Sequence, residues 1–159
     1  MVGDEAGDFH EVLDLKDGRV AVVMGDAPGF GPDAARLAER LRSSFRLALR
    51  ETHDPVEVVA RVDDDLAGDD DVTIASAVCA IVDPAERSVA LANAGHLPPV
   101  VVTTDGAELV AGHPDPLLGL PRGPRALRTT TIRNGSALVI YTDALIERRG
   151  GPRDEALRQ

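Results

Sequence analysis

Two runs of apolar β-formers in this chain end in an aspartate. Val20-Ala21-Val22-Val23-Met24 leads into Gly25-Asp26-Ala27-Pro28-Gly29-Phe30-Gly31, and residues 137–140 lead into Tyr141-Thr142-Asp143-Ala144. Successive side chains on a strand point to opposite faces, so an unbroken apolar run implies a strand covered on both sides. A carboxylate at the end of such a strand is held by the sheet yet open at its rim. Two of them, with Asp8 in Gly7-Asp8-Phe9, could converge on hard cations that take oxygen ligands.

The rest of the pattern is consistent with a sheet protein carrying a pair of helices. Residues 9–15 read as a strand with Phe9, Glu11, Leu13 and Leu15 on one face, and Asp17-Gly18 is a hairpin signal before the return strand 19–25. Pro32 suits a first helical turn, and Ala34, Ala38, Leu41, Phe45 and Ala48 recur at steps of four and three through about Arg50. A second helix starts near Asp54-Pro55, with Asp54 as its N-cap and an apolar face from Val56, Val59 and residues 62–66. Residues 72–82 predict a long apolar strand and 88–93 its partner. Residues 100–103 and 108–111 flank Asp105-Gly106, residues 127–132 alternate weakly, and 136–142 form the last clear strand. Residues 154–158 could open another helix. Hairpin, two helices, then strands joined by tight turns is an α+β pattern with mostly antiparallel pairing.

At 159 residues the simplest expectation is one domain over 1–159. The net charge of −10, from 17 basic and 27 acidic residues, argues against nonspecific binding to nucleic acid. With 3% aromatics and no Trp, a base-stacking platform is not expected either. No apolar run approaches the roughly 20 residues that span a membrane. Met1-Val2-Gly3-Asp4-Glu5 is neither basic nor apolar, unlike a signal peptide. Cys79 stands alone in an apolar run, which reads as a buried thiol; one cysteine makes no disulfide within a chain, and a reducing cytoplasm is the expected setting.

Taken alone, Asp26 fits two readings, a metal ligand or a cap for the helix that follows. His96 reads as a structural residue near the sheet. His10 reads as an exposed strand residue that could also serve as an acid beside a metal site, while His53 and His113 read as surface residues. The acidic runs 63–65 and 69–71 lack the alternating spacing of a calcium loop and read as solvated charge.

Set in order, the motifs resemble those of the metal-dependent protein phosphatases of the PPM type, in the SpoIIE/RsbU-like branch. The family's opening Gly-Gly-Asp-x-Tyr-Asp is matched loosely by Ala6-Gly7-Asp8-Phe9-His10-Glu11, and its Gly-Asp-x-x-Gly-His-Gly by residues 25–31. Asn-Ala-Gly-His-x-Pro-Pro stands intact as Asn93-Ala94-Gly95-His96-Leu97-Pro98-Pro99. Pro116-Leu117-Leu118-Gly119 supplies the Pro-Leu-Gly turn, and Tyr141-Thr142-Asp143-Ala144-Leu145-Ile146-Glu147 matches Tyr-Thr-Asp-Gly-Leu-x-Glu. The resemblance implies an α/β/β/α sandwich of mostly antiparallel sheets with two Mn²⁺ or Mg²⁺ ions at one end. It implies Asp26 as the bridging ligand, the Ala27 carbonyl beside it, Asp143 on the other ion, and Asp8 close by, directly or through water. The activity implied is hydrolysis of phosphoserine or phosphothreonine on a protein, by resemblance a phosphorylated anti-sigma-factor antagonist in a stress-response partner switch.

The chain departs from the family pattern at five points. Glu11 stands for an Asp, Phe30 for a His and Ala144 for a Gly, where a positive φ would be strained. The family's terminal Asp-Asp-x-Thr strand has no match before Gln159, since Asp70-Asp71-Val72-Thr73 falls at the central strand, and the family's first strand has no match either. The expectation is therefore a domain trimmed at both ends, whose open sheet edges would favour a homodimer. The alternative expectation is a pseudophosphatase that acts as a protein-binding regulatory module.

Overall fold

The computed structural model of the chain describes residues 6–67, 73–110, 112, 115–120 and 125–145. β1 (Ala6–Asp14) and β2 (Val20–Phe30) form the expected hairpin, with Phe9 opposite Gly25 and Leu13 opposite Ala21. Gly18 closes its turn with a φ of 85°, and the Asp17 carboxylate accepts the Arg19 backbone N–H at 3.1 Å. β2 does not end at Gly25, as expected, but runs on to Phe30. A Cβ at Gly25 would lie 2.4 Å from Phe9 Cζ and 2.5 Å from the Ser76 carbonyl oxygen, so this glycine serves close packing beneath an aromatic ring. The chain reverses only at Gly29 and Gly31, with φ of 96° and 80°.

α1 (Pro32–Glu51) buries the predicted stripe of Ala34, Ala38, Leu41, Phe45 and Ala48, together with Leu49. The Phe45 ring meets Phe9 of β1 at a centroid distance of 6.2 Å. α2 (Pro55–Ala67) is capped as expected: Asp54 Oδ1 accepts the backbone N–H groups of Val56 and Glu57 at 2.8 and 3.3 Å. The remaining strands are β3 (Ser76–Asp83), β4 (Ser88–Ala94), β5 (Val100–Thr103), β6 (Gly106–Leu109), β7 (Arg128–Thr131) and β8 (Ala137–Val139). They make a five-stranded sheet in the order β1-β2-β3-β4-β7 and a three-stranded sheet in the order β6-β5-β8, with every ladder antiparallel.

Both faces of the larger sheet are covered, as the continuous apolar runs require. Toward the helices, Phe9, Ala21, Val23, Cys79 and Ile81 pack with Leu41, Phe45, Val58, Val59 and Val62. On the opposite face Val78, Ala80, Val89 and Leu91 pack with Met24, Ile132, Leu138 and Ile140, which joins the two sheets. The result is three layers, helices on sheet on sheet. A second helical layer, expected for an α/β/β/α sandwich, has no counterpart among the described residues, because α1 and α2 lie on the same face.

Three local expectations need correction. The strand expected over 72–82 starts at Ser76; residues 73–74 are irregular, and Ala75 instead exchanges two backbone hydrogen bonds with Leu118 at 2.9 and 3.3 Å. The strand expected over 136–142 is confined to Ala137–Val139. Asp63 is not solvated charge but 5% exposed. Its Oδ1 accepts the Gly119 N–H at 3.0 Å, and its Oδ2 pairs with Arg125, whose Nε lies 3.0 Å away. Arg125 also donates to the Pro116 carbonyl at 2.7 Å, so this ion pair ties the 116–119 turn to α2. The 69–71 run, His113 and the helix considered at 154–158 lie outside the described residues. No helix among the described residues is long and apolar enough to cross a membrane.

Candidate metal centre

Asp8 and Asp26 sit directly opposite one another on β1 and β2, beside a register shift at the start of β1. That shift is possible because position 7 is glycine: a Cβ there would lie 1.8 Å from the Ala27 carbonyl oxygen and 3.0 Å from Asp26 Oδ1. Asp143 opens the 3₁₀ turn Asp143–Leu145 beyond β8. The three aspartates offer carboxylate oxygens that all lie within 4.8 Å of one another. Asp8 is exposed and the other two are half-buried. Residues far apart in the chain thus form one acidic cluster at one end of the sandwich.

The cluster is electrostatically costly. The Asp26 carboxyl is held above the ordinary carboxylate range, first by burial and then by the neighbouring charges of Asp8 and Asp143. Oxygen donors that repel one another in a desolvated corner fit a hard divalent cation, which would relieve both penalties. Beside them a cleft of about 250 Å³ is lined by Asp26, Ser76, Gly95, His96, Leu97, Pro98 and Asp143.

His96 forms the wall of that cleft and is 6% exposed. Its backbone N–H donates to Asn93 Oδ1 at 2.7 Å, and Asn93 Nδ2 donates back to the His96 carbonyl at 2.9 Å. In the ring, Nε2 lies 3.1 Å from the Tyr141 carbonyl and Nδ1 lies 2.9 Å from Ser76 Oγ. A carbonyl only accepts, which assigns the ring proton to Nε2 and makes Nδ1 the acceptor of the serine hydroxyl. Burial lowers the His96 pKa and outweighs the opposing pull of the Tyr141 carbonyl, Asp8 and Asp143. The structural reading of His96 agrees with this geometry.

The other sequence-predicted residues contribute no carboxylate to the cluster. Ala27 buries its side chain in the helix-side core while its carbonyl lies against Gly7. Glu11 points to α1, as strand alternation demands for a residue in phase with Phe9, and pairs with Arg46 at 2.7 Å and Arg42 at 3.9 Å. Phe30 is 86% exposed. His10 is exposed beside Asp8, in a groove shared with Glu39 and Arg42. His53 is half-buried and contacts Asp17 at 3.2 Å and Arg19 at 3.1 Å. Ala144 carries no left-handed strain: among the described residues Arg87 is the one non-glycine with positive φ. Ser76 and Thr142 were not singled out from sequence. Thr142 Oγ1 donates to Asp8 Oδ2 at 3.1 Å, and Ser76 lies opposite Asp26 in the β2–β3 register. Thr142 lies within the 141–147 motif; Ser76 carries no sequence signal short of that register.

The family model for stage II sporulation protein E (SpoIIE) matches residues 16–159. The chain belongs to the SpoIIE family. Within it, the chain is of the RsbU/SpoIIE-like kind of the PP2C (PPM) phosphatase family. Among solved structures, the RsbU and RsbW domains of Rv1364c from Mycobacterium tuberculosis share 30% identity over 99% of this chain and 44% of that one, with a TM-score of 0.88. The PP2C phosphatase domain of SpoIIE from Bacillus subtilis, solved with a fragment of its regulatory domain, shares 15% identity over 98% of this chain and 48% of that one, at a TM-score of 0.83. This SpoIIE-family chain therefore spans less than half the length of either. RsbX, solved in complex with magnesium, is 16% identical over 99% of this chain and 76% of its own, at a TM-score of 0.74. The α+β fold with antiparallel sheets and two helices is shared with these PP2C-like structures.

Proposed function

We propose that residues 1–159 act as one phosphatase domain that hydrolyses phosphoserine or phosphothreonine on a protein, with two Mn²⁺ or Mg²⁺ ions. The observation that carries this reading is the convergence of Asp8, Asp26 and Asp143 within 4.8 Å. Asp26, opposite Asp8 and bordering the cleft with Asp143, would be the shared ligand, and Asp143, Asp8 and the Ala27 carbonyl would hold the ions with it. When bound, such ions activate water and screen phosphoryl charge, so no protein nucleophile is required. The chain's own residues agree with that division of labour. Cys79 is fully buried with its pKa pushed up to about 12, so it offers no thiolate. His96 is occupied at both ring nitrogens. What the protein supplies is placement: the β1–β2 register sets Asp8 against Asp26, and the Thr142 hydroxyl ties Asp8 to the segment that carries Asp143.

The substrate we propose is a phosphorylated anti-sigma-factor antagonist in a cytoplasmic partner switch, with a homodimer as the working assembly. The 30% identical relative that carries RsbU and RsbW domains in one chain supports that direction. The test is hydrolysis of a phosphoserine protein with Mn²⁺, with Mg²⁺ and with chelator. Turnover that needs the metal is expected, and its absence with both metals would remove the enzyme reading. A second reading, a pseudophosphatase that binds a phosphoprotein, is favoured by Phe30, whose 86% exposed ring supplies no polar group where the family pattern has a His. Metal and phosphoprotein binding without turnover would select it.

A further inference from the structure

β8 ends at Val139, and Asp143 lies four residues beyond any ladder pairing. Among the described residues no ladder reaches this segment, so contacts outside the sheets set the place of Asp143 beside Asp26. We propose that His96 is a positioning residue for Asp143: its imidazole is a rigid strut between Ser76, the strand neighbour of Asp26, and the Tyr141 carbonyl, two residues before Asp143. The inference rests on the proposed metal reading and deepens it.

The geometry is complete at both ends of the ring. Nδ1 accepts from Ser76 Oγ at 2.9 Å, and Ser76 is the register partner of Asp26 across β2 and β3. Nε2–H donates to the Tyr141 carbonyl at 3.1 Å. The backbone that carries the ring is clamped by both hydrogen bonds of the Asn93 amide, at 2.7 and 2.9 Å, and the residue is buried. Just before it Gly95 turns the chain with a φ of 70°, and a Cβ there would lie 2.5 Å from Leu117, so the 116–119 turn packs against this bend. From the other side the Thr142 hydroxyl reaches Asp8 Oδ2 at 3.1 Å. The segment before Asp143 is thus braced at Tyr141 and at Thr142, and the imidazole sets how far Asp143 stands from Asp26. Groups that orient a metal ligand without touching the metal typically contribute about 10–100-fold in affinity.

The experiment is Mn²⁺ titration by calorimetry on the full chain, with the apo melting temperature measured in parallel. His96→Gln keeps a donor and an acceptor; His96→Leu keeps bulk alone. The strut predicts that His96→Leu weakens Mn²⁺ binding by about 10–100-fold and that His96→Gln restores part of the loss. Ser76→Ala, which frees one end of the ring in an otherwise intact strand, should weaken binding several-fold, and it decides the matter if His96→Leu does not fold. Equal Mn²⁺ affinity for the Leu and Gln variants, or wild-type affinity for Ser76→Ala, overturns the strut. Asp26→Asn separates this from the larger reading: unchanged Mn²⁺ binding there, or no binding by the wild type, removes the metal centre and the strut together.

Discussion

Asp63 and Asp26 are both carboxylates drawn out of water, and the fold treats them in opposite ways. Asp63 is met by the Arg125 guanidinium and the Gly119 N–H, so its charge and lone pairs are answered within the chain. Asp26 faces Asp8 and Asp143, which add to its penalty. A buried charge that is paired secures structure, whereas one left among like charges is a cost the fold bears for a ligand. Asp54 is a third case: its oxygen is answered by two backbone N–H groups at the surface, where an acceptor is needed more than a charge.

The same Asp→Asn change should therefore give three different results. At Asp26 we expect the largest effect: phosphoester hydrolysis lost and Mn²⁺ affinity reduced by roughly 100-fold or more, beyond what orienting groups contribute. The apo protein should nonetheless melt no lower, and at neutral pH higher. The sign follows from the raised carboxyl. Above the ordinary value of 3.8 the unfolded chain has released a proton that the folded one holds longer, so wild-type stability falls as pH rises through that window. Asp26→Asn lacks that slope, and calorimetry should find its advantage at pH 7 shrinking as pH drops toward 4. A lower melting temperature with unchanged Mn²⁺ affinity would make Asp26 a cap and erase the contrast.

At Asp63 the change should destabilise by about 3–5 kcal/mol, because Arg125 is left buried without its counter-charge. Denaturant unfolding measures it, and replacing both partners by apolar residues should cost less than replacing one. A mild loss for Asp63→Asn would mean that Arg125 reaches water and that the pair is ornamental. At Asp54 the smallest effect is expected: Asn should match Asp, while Ala costs about 1 kcal/mol of a cap. A clear loss with Asn would show that charge matters there as well.

Local chemistry carried much of this in the sequence. The Asp17-Gly18 hairpin, the α1 stripe and the Asp54 cap depend on neighbours within a few residues, and all appear where expected. The three aspartates were recognisable from their motifs, though not their mutual distance. The periodicity that buries Val59, Val62 and Leu66 also places Asp63 on the same helix face, a sign that its charge was not simply solvated. Its partner Arg125, 62 residues away, left no such mark. The strand expected over 19–25 stops at Gly25 because glycine signals reversal and close approach alike; the ring of Phe9 across the hairpin decides between them.

By itself, then, the sequence determined the order and type of the main strands and helices, the Asp17-Gly18 turn and the Asp54 cap, and which residue types are available for chemistry. These follow from side-chain period, backbone φ preferences and hydrogen bonds to near neighbours. Only the tertiary structure decided which charges meet. Whether Asp26 finds an arginine or two more aspartates depends on the register of β1 on β2 and on the seating of the 141–143 segment against His96. Those outcomes arise from packing among elements distant in the chain, and electrostatic energies that fall off over a few ångströms register them only once the fold has closed.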